Sequence, residues 1–107
     1  MEFRMPSYIA LATLIDGPLH GYAIVQRAAE LSNGEVRPST GTLYALLERA
    51  IAEGLVVAGD PYREGGRERR DYSLTPEGRR ELEAETRRLE RAARTVSRRL
   101  RATAVAQ

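Results

Sequence analysis

Residues Thr75 to Thr103 constrain this chain more than any others. Thr75-Pro76-Glu77 is a strong helix start: a hydroxyl cap, a proline at the first helical position and an acid in the first turn. Beyond it, Leu82, Thr86, Leu89, Ala93, Val96, Leu100 and Thr103 recur at alternating spacings of four and three. A narrow apolar seam on a highly charged rod is the pattern of a coiled-coil-like partner face. A helix from Pro76 to about Arg101 is roughly 40 Å long at ~1.5 Å per residue. Only 75 residues precede it, too small a head to cover such a rod. The seam therefore calls for a partner. The alternative is a solitary charged helix held by Glu-to-Arg pairs such as Glu83–Arg87 and Glu90–Arg94. Ala102 to Gln107 is expected to fray.

Upstream of the rod the periodicities are short. Ser7 to Ile15 is apolar nearly all round, which predicts a helix buried on more than one side. Asp16-Gly17-Pro18 ends it. A second helix begins at His20 or Gly21, with Tyr22, Val25, Ala28, Ala29 and Leu31 at helical spacing and Tyr22 expected in the core. Asn33-Gly34 closes it with a left-handed cap. A third helix runs from Ser39 to about Glu53, its inner stripe Leu43, Leu46, Leu47, Ala50 and Ile51, its stop Gly54. Leu55 to Ala58 reads as a strand, Gly59 to Gly66 as a loop and Arg69 to Leu74 as the return strand, with Arg70, Tyr72 and Leu74 on one face. The order helix, helix, helix, hairpin, helix is that of a winged helix. The expected fold is mainly α with a small β-hairpin: a winged helix-turn-helix domain over residues 1–75, and a C-terminal dimerisation helix and tail over residues 76–107.

Composition removes several function classes. The chain has no cysteine and one histidine, so it offers no thiol nucleophile, zinc knuckle or histidine metal site. It carries no phosphate loop, and Glu81, Glu83 and Glu85 read as a solvated helix face rather than an acid–base pair. An enzyme is not expected, nor a cofactor or a metal. No window approaches a membrane span. The run from Tyr8 to Ile15, preceded by Glu2 and Arg4, reads as a buried helix rather than a signal peptide, so a cytoplasmic location is expected. Net charge is +2, but every basic residue is arginine, whose fork binds phosphate and guanine bidentately. The basic excess lies in the wing and the last helix. There Arg91, Arg94, Arg98, Arg99 and Arg101 complement the negative helix end.

Two segments carry the chemistry. Pro38-Ser39-Thr40-Gly41-Thr42-Leu43-Tyr44 opens a helix whose first turn is nearly all hydroxyls. Ser39 suits the N-cap. Threonine and glycine are poor helix formers, which makes this a costly start for a purely structural helix. It suits a helix whose front end touches phosphates and base edges. Tyr44 is either a phosphate contact or a half-buried core tyrosine; Ser39, Thr40 and Thr42 either touch DNA or only cap and solvate; Gly41 is either a close-approach position or merely a weak helix residue. The second segment, Gly65-Gly66-Arg67-Glu68-Arg69-Arg70, is a glycine-tipped arm. A glycine-flanked Arg67 suits a narrow minor groove, against the reading of a solvated loop arginine. Arg69 and Arg70 point to opposite faces, so at most one tracks the backbone. Arg37, just before the third helix, is a phosphate candidate, and Arg63 is a less constrained one. His20 reads as a helix-start or packing residue rather than a ligand.

The ordered set His20-Gly21-Tyr22, Gly41-Thr42-Leu43-Tyr44 with Leu47 and Arg49, Glu53-Gly54-Leu55, Gly66-Arg67 with Arg69-Arg70 and Tyr72, Leu74-Thr75 and Gly78-Arg79 resembles the PadR family of bacterial transcriptional regulators, in its short form with one C-terminal helix. The resemblance spans most of residues 5 to 100. The chain departs from the family pattern at Ala45, Ala50 and Glu68, where proline, leucine and proline are common; Ile51 is expected to offset the smaller Ala50.

The resemblance implies a homodimeric repressor on a pseudo-palindromic stretch of double-stranded DNA. Arg37, Ser39, Thr40, Thr42, Tyr44, Arg67 and Arg69 are the expected DNA-binding residues. Tyr8, Ala12, Leu82, Leu89, Ala93, Val96 and Leu100 are the expected dimerisation residues. The family also implies release by a small hydrophobic or aromatic effector near the dimer contact, which here could draw on Phe3, Tyr8, Ala12, Leu89, Ala93 and Val96. The rival reading is a protein-interaction module whose long helix binds a partner chain without DNA.

Overall fold

The computed structural model describes residues 3–106. The outer limits of the two expected domains at residues 1 and 107, Glu2 and the tail residue Gln107 lie outside the described residues. The elements are α1 (Met5–Ala12), β1 (Leu19–His20), α2 (Gly21–Leu31), α3 (Thr40–Ala52), β2 (Val56–Ala58), β3 (Tyr62–Glu64), β4 (Arg67–Arg69), β5 (Asp71–Leu74) and α4 (Pro76–Ala106).

Each helix is fixed by its ends. α1 starts at Met5, with a proline in its first turn, and stops at Ala12 rather than Ile15. The Thr13 hydroxyl donates to the Ala10 carbonyl at 2.6 Å, and the chain beyond tightens into i−3 bonds from Leu14 and Ile15. Such side-chain bonding competes with helix continuation. α2 is capped by His20, whose Nδ1 accepts the Ala23 N–H at 3.2 Å. It closes where the Gly34 N–H reaches the Ala29 carbonyl at 2.7 Å. α3 is capped by Ser39, whose hydroxyl accepts the Thr42 N–H at 3.2 Å. At α4 the Thr75 hydroxyl accepts the Gly78 N–H at 2.9 Å and donates to the Gly54 carbonyl at 2.7 Å, joining the two helix ends.

The core lies between α1, α2, α3 and the sheet. Leu11, Ile24, Leu43, Leu47 and Val56 are its fully buried large side chains, and Phe3, Tyr72 and Leu82 close it. The sheet has the order β1-β5-β2, antiparallel, with Leu19 opposite Tyr72 and Val56 opposite Leu74. The two-residue β1 has no sequence periodicity to announce it. The supposed loop before Gly66 is instead half of a separate hairpin, with Arg63 opposite Glu68 and Glu64 opposite Arg67. Opposite charges facing across the strands stabilise a pair that has no apolar alternation. Gly65 and Gly66 both have positive φ, as a two-residue type I′ turn requires. The return strand breaks at Arg70, so Arg70 is exposed while Tyr72 is buried, contrary to the expected shared face.

Three apolar residues expected inside are outside. Tyr22 is 61% exposed, and Leu31 and Ile51 are also exposed. The buried face of α2 is Gly21, Ile24, Ala28 and Ala29, and Tyr22, in the first turn, is left exposed. Ile51 therefore does not compensate for Ala50, which is itself fully buried.

α4 divides along its length. Leu82 is buried in the head, and the Thr86 hydroxyl meets the Tyr8 hydroxyl at 2.5 Å. Glu85 is buried too, not part of a solvated face: Arg88 grips its carboxylate with bonds of 2.8 and 2.6 Å. Hydrogen bonding by Arg88 holds that carboxyl below the usual range. Leu89 is half-buried, and Ala93, Val96 and Leu100 are exposed. Ion pairs along this helix include Glu77–Arg80 and Glu85–Arg88, at i,i+3 rather than the expected i,i+4. Ala102 to Ala106 stay helical instead of fraying.

Candidate nucleic-acid interface

An open cleft of about 710 Å³ lies between the starts of α2 and α3 and the β3–β4 hairpin. Six of the seven expected DNA-binding residues line it: Arg37, Ser39, Thr40, Tyr44, Arg67 and Arg69. They come from two separated stretches of sequence, and the fold gathers them on one side. Thr42, the seventh, is exposed next to the cleft and shares a hydrogen bond with the Ser39 hydroxyl at 3.0 Å.

The start of α3 supplies the floor. Ser39 is occupied twice, by the Thr42 N–H and the Thr42 hydroxyl, so it acts first as a cap. Thr40, Gly41 and Thr42 are exposed, and a Cβ added at Gly41 would meet nothing within 4 Å. Their N–H groups lie at the positive end of the helix dipole, where an anion is favoured. Tyr44 is 45% exposed, with its hydroxyl over the start of α2: a Cβ at Gly21 would stand 3.1 Å from it.

The hairpin supplies the wall. Arg67 is exposed beside the Gly65-Gly66 turn. Arg63 donates to the Gly66 carbonyl at 2.9 Å and braces that turn. Arg69 is placed differently from the expectation of a free phosphate ligand. Its side chain is only 20% exposed; Nη1 lies 3.1 and 3.3 Å from the two ring nitrogens of His20, and Nε lies 3.4 Å from the Glu64 carboxylate. That Nε is buried and has no hydrogen bond, so the contact with Glu64 is an ion pair without good hydrogen-bond geometry. Arg70 is exposed in the same cleft. Tyr62 donates to Asp71 at 2.6 Å, a bond that raises the phenol above its ordinary range. Burial does the same for Tyr72.

Arg70 and Tyr22 also line the cleft. Arg70 was the alternative to Arg69 on the opposite face, and the structure leaves it the exposed one. Tyr22, which accepts a hydrogen bond from Gln26 at 3.1 Å, left no such signal, since its spacing to Val25 and the buried Ala29 is that of a core residue. The expected dimerisation residues separate into two groups. Leu82 and Tyr8 are engaged within the head and Ala12 is half-buried, whereas Ala93, Val96 and Leu100 face outward. Of the residues proposed for an effector, Phe3 is buried with its ring edge-on to Tyr8 at 6.3 Å. A cleft of about 270 Å³ between Ile15 and α4 is lined by Arg79, Leu82, Glu83, Thr86 and Arg87, and by none of those six. Among the described residues no cluster of three His, Asp or Glu side chains could hold a metal ion, and no helix is long and apolar enough to cross a membrane.

Comparison with known proteins points the same way. The model of the transcriptional regulator PadR-like family matches residues 10–84. Over 77 residues the chain is 44% identical to an uncharacterised protein of a Streptomyces fradiae transposon, a match covering 72% of this chain and 21% of that protein, so the chain spans about a fifth of that relative's length. Over 81 residues it is 43% identical to a transcriptional regulator of Mycobacterium tuberculosis, covering 76% of this chain and 72% of the relative. The crystal structure of Bacillus subtilis PadR in complex with operator DNA superposes with a TM-score of 0.68 at 25% identity, covering 78% of this chain and 48% of that one.

Proposed function

The chain belongs to the PadR-like family of transcriptional regulators, and from that premise we propose that it is a sequence-specific, homodimeric DNA-binding repressor. Its family is one of regulators, not enzymes. The observation that carries the reading is the single cleft lined by Arg37, Thr40, Tyr44, Arg67 and Arg70, with the hydroxyl-rich start of α3 as its floor and the hairpin as its wall. The start of α3 enters a major groove, and Thr40 and Thr42 meet base edges there. Arg67 lies in the adjacent minor groove, and Arg37, Arg70 and the Tyr44 hydroxyl meet phosphates.

Residues 1–75 serve as the reading head and residues 76–107 as the pairing helix. The outward part of the seam, from Leu89 through Val96 to Leu100, packs against a second copy and sets the distance between two heads. A two-fold dimer demands a pseudo-palindromic operator with half-sites about one helical turn apart. The protein represses by occupying that site. A small hydrophobic or aromatic effector bound at the dimer contact releases it only by favouring a dimer geometry that DNA disfavours. Such a ligand has to displace the packing of Phe3 and Tyr8.

Fluorescence anisotropy of a duplex taken from upstream of the chain's own gene tests the reading. Tight binding is expected, with log affinity falling by about 0.9 per phosphate contact per decade of salt. Arg67→Ala is expected to weaken it. Equal, weak binding to that duplex and to a random one would favour the interaction-module reading.

A further inference from the structure

The hairpin that bears Arg67 is not part of the main sheet. β3 and β4 form a sheet of their own, and the chain passes from β4 to β5 through the unpaired Arg70. A two-stranded ribbon joined to the head by so little backbone has no fixed angle of its own. Two side-chain ties supply one. Tyr62 of β3 donates to Asp71 of β5 at 2.6 Å. Arg69 of β4 lays its guanidinium against both nitrogens of the His20 ring, at 3.1 and 3.3 Å.

The His20 end of that tie is itself held. Its Nδ1 accepts the Ala23 N–H as the cap of α2, which fixes the orientation of the ring. Its backbone pairs with Asp71 through β1. Glu64, opposite Arg67 on the neighbouring strand, balances the Arg69 charge. With its side chain only 20% exposed, the guanidinium has given up much of its hydration and is turned to the head rather than to solvent.

We propose that Arg69 is a positioning residue that fastens the hairpin to the capped start of α2 through His20, holding Arg67 and Arg70 at the angle from which they reach DNA, and that it makes no phosphate contact itself. The inference rests on the DNA-binding reading above. It replaces Arg69 by Arg70 as the arginine that tracks the backbone.

The test uses the full chain carrying Arg69→Ala, Arg69→Lys, His20→Asn or the double change Arg69→Ala with His20→Asn. Asparagine still caps a helix, so His20→Asn removes the imidazole without removing the cap. In the duplex titration each single change is expected to weaken binding roughly tenfold, at the scale of a lost contact or two. The double change is expected to be no weaker than the worse single one, because coupled residues are non-additive. Arg69→Lys is expected to behave like the alanine variant, since an ammonium lacks the planar fork. The salt slope is expected to fall in His20→Asn as much as in Arg69→Ala, although the former leaves every arginine in place.

Three results would overturn the proposal: an unchanged slope in His20→Asn, a fall of about 0.9 confined to Arg69→Ala, or rescue by lysine. Amide hydrogen exchange of the free protein supplies a readout that needs no DNA. Residues 62–69 are expected to exchange faster in both single variants while α2 and α3 keep their protection, and unchanged exchange in the hairpin would refute the fastening. Absence of binding by the unaltered chain would refute the DNA reading, and hairpin exchange would then decide the fastening alone.

Discussion

A Cβ on Gly78 would collide with the Leu55 carbonyl oxygen and stand 2.7 Å from the Leu74 side chain. The first turn of α4 rests directly on the backbone that leads from α3 into the sheet, and the same carbonyl accepts the Thr75 N–H at 3.0 Å. Backbone has nowhere to move at such a contact, so Gly78→Ala is expected to destabilise the fold by about 1–3 kcal/mol, the usual cost of overpacking. Urea unfolding measures it, and an unchanged midpoint would mean that the helix is not seated so closely. The same scale separates Arg69 from Arg70. Alternation puts the two arginines on opposite faces without saying which one is free, whereas the structure buries one against His20 and leaves the other open.

Among the elements, α3 bears the functional argument. Ser39 caps it, Gly54 follows it, and between them Leu43, Leu46, Leu47 and Ala50 bury one face while Thr40, Gly41 and Thr42 stay open. Nothing in the packing requires Gly41. Gly41→Ala is therefore expected to stabilise the helix by up to about 1 kcal/mol while weakening operator binding, because the added methyl intrudes on the approach of DNA. Thermal unfolding and the duplex titration read the two effects separately, and improved stability with unaltered binding would remove Gly41 from the interface. The starts of α2, α3 and α4 were legible in the sequence because each has its own capping chemistry. The β3–β4 hairpin was not, since its pairing rests on facing charges rather than alternation. Tyr22 was misread because it keeps helical spacing with the half-buried Val25 and the buried Ala29, yet lies in the first turn, where the open cleft leaves it exposed.

At the scale of the whole molecule the chain measures 62 × 27 × 22 Å, and most of that length belongs to α4. Its 31 residues make a rod of about 46 Å. The head holds the rod by Leu82, by the Tyr8–Thr86 bond and by Arg79, which donates to the Ile15 carbonyl at 3.2 Å. Beyond Leu89 the head covers little, and Val96 and Leu100 are 57% and 67% exposed. Replacing both with glutamate is expected to leave the head folded and to convert a dimer into a monomer in sedimentation equilibrium. A monomer in the unaltered chain, or a dimer that survives the change, would contradict the pairing assigned to this face. The most direct measurement of the central claim is the amide chemical-shift map of labelled protein titrated with the upstream duplex. Perturbations are expected at residues 37–44 and 63–70, on the floor and the wall of one cleft. Shifts confined to residues 89–100, with α3 and the hairpin unmoved, would contradict it.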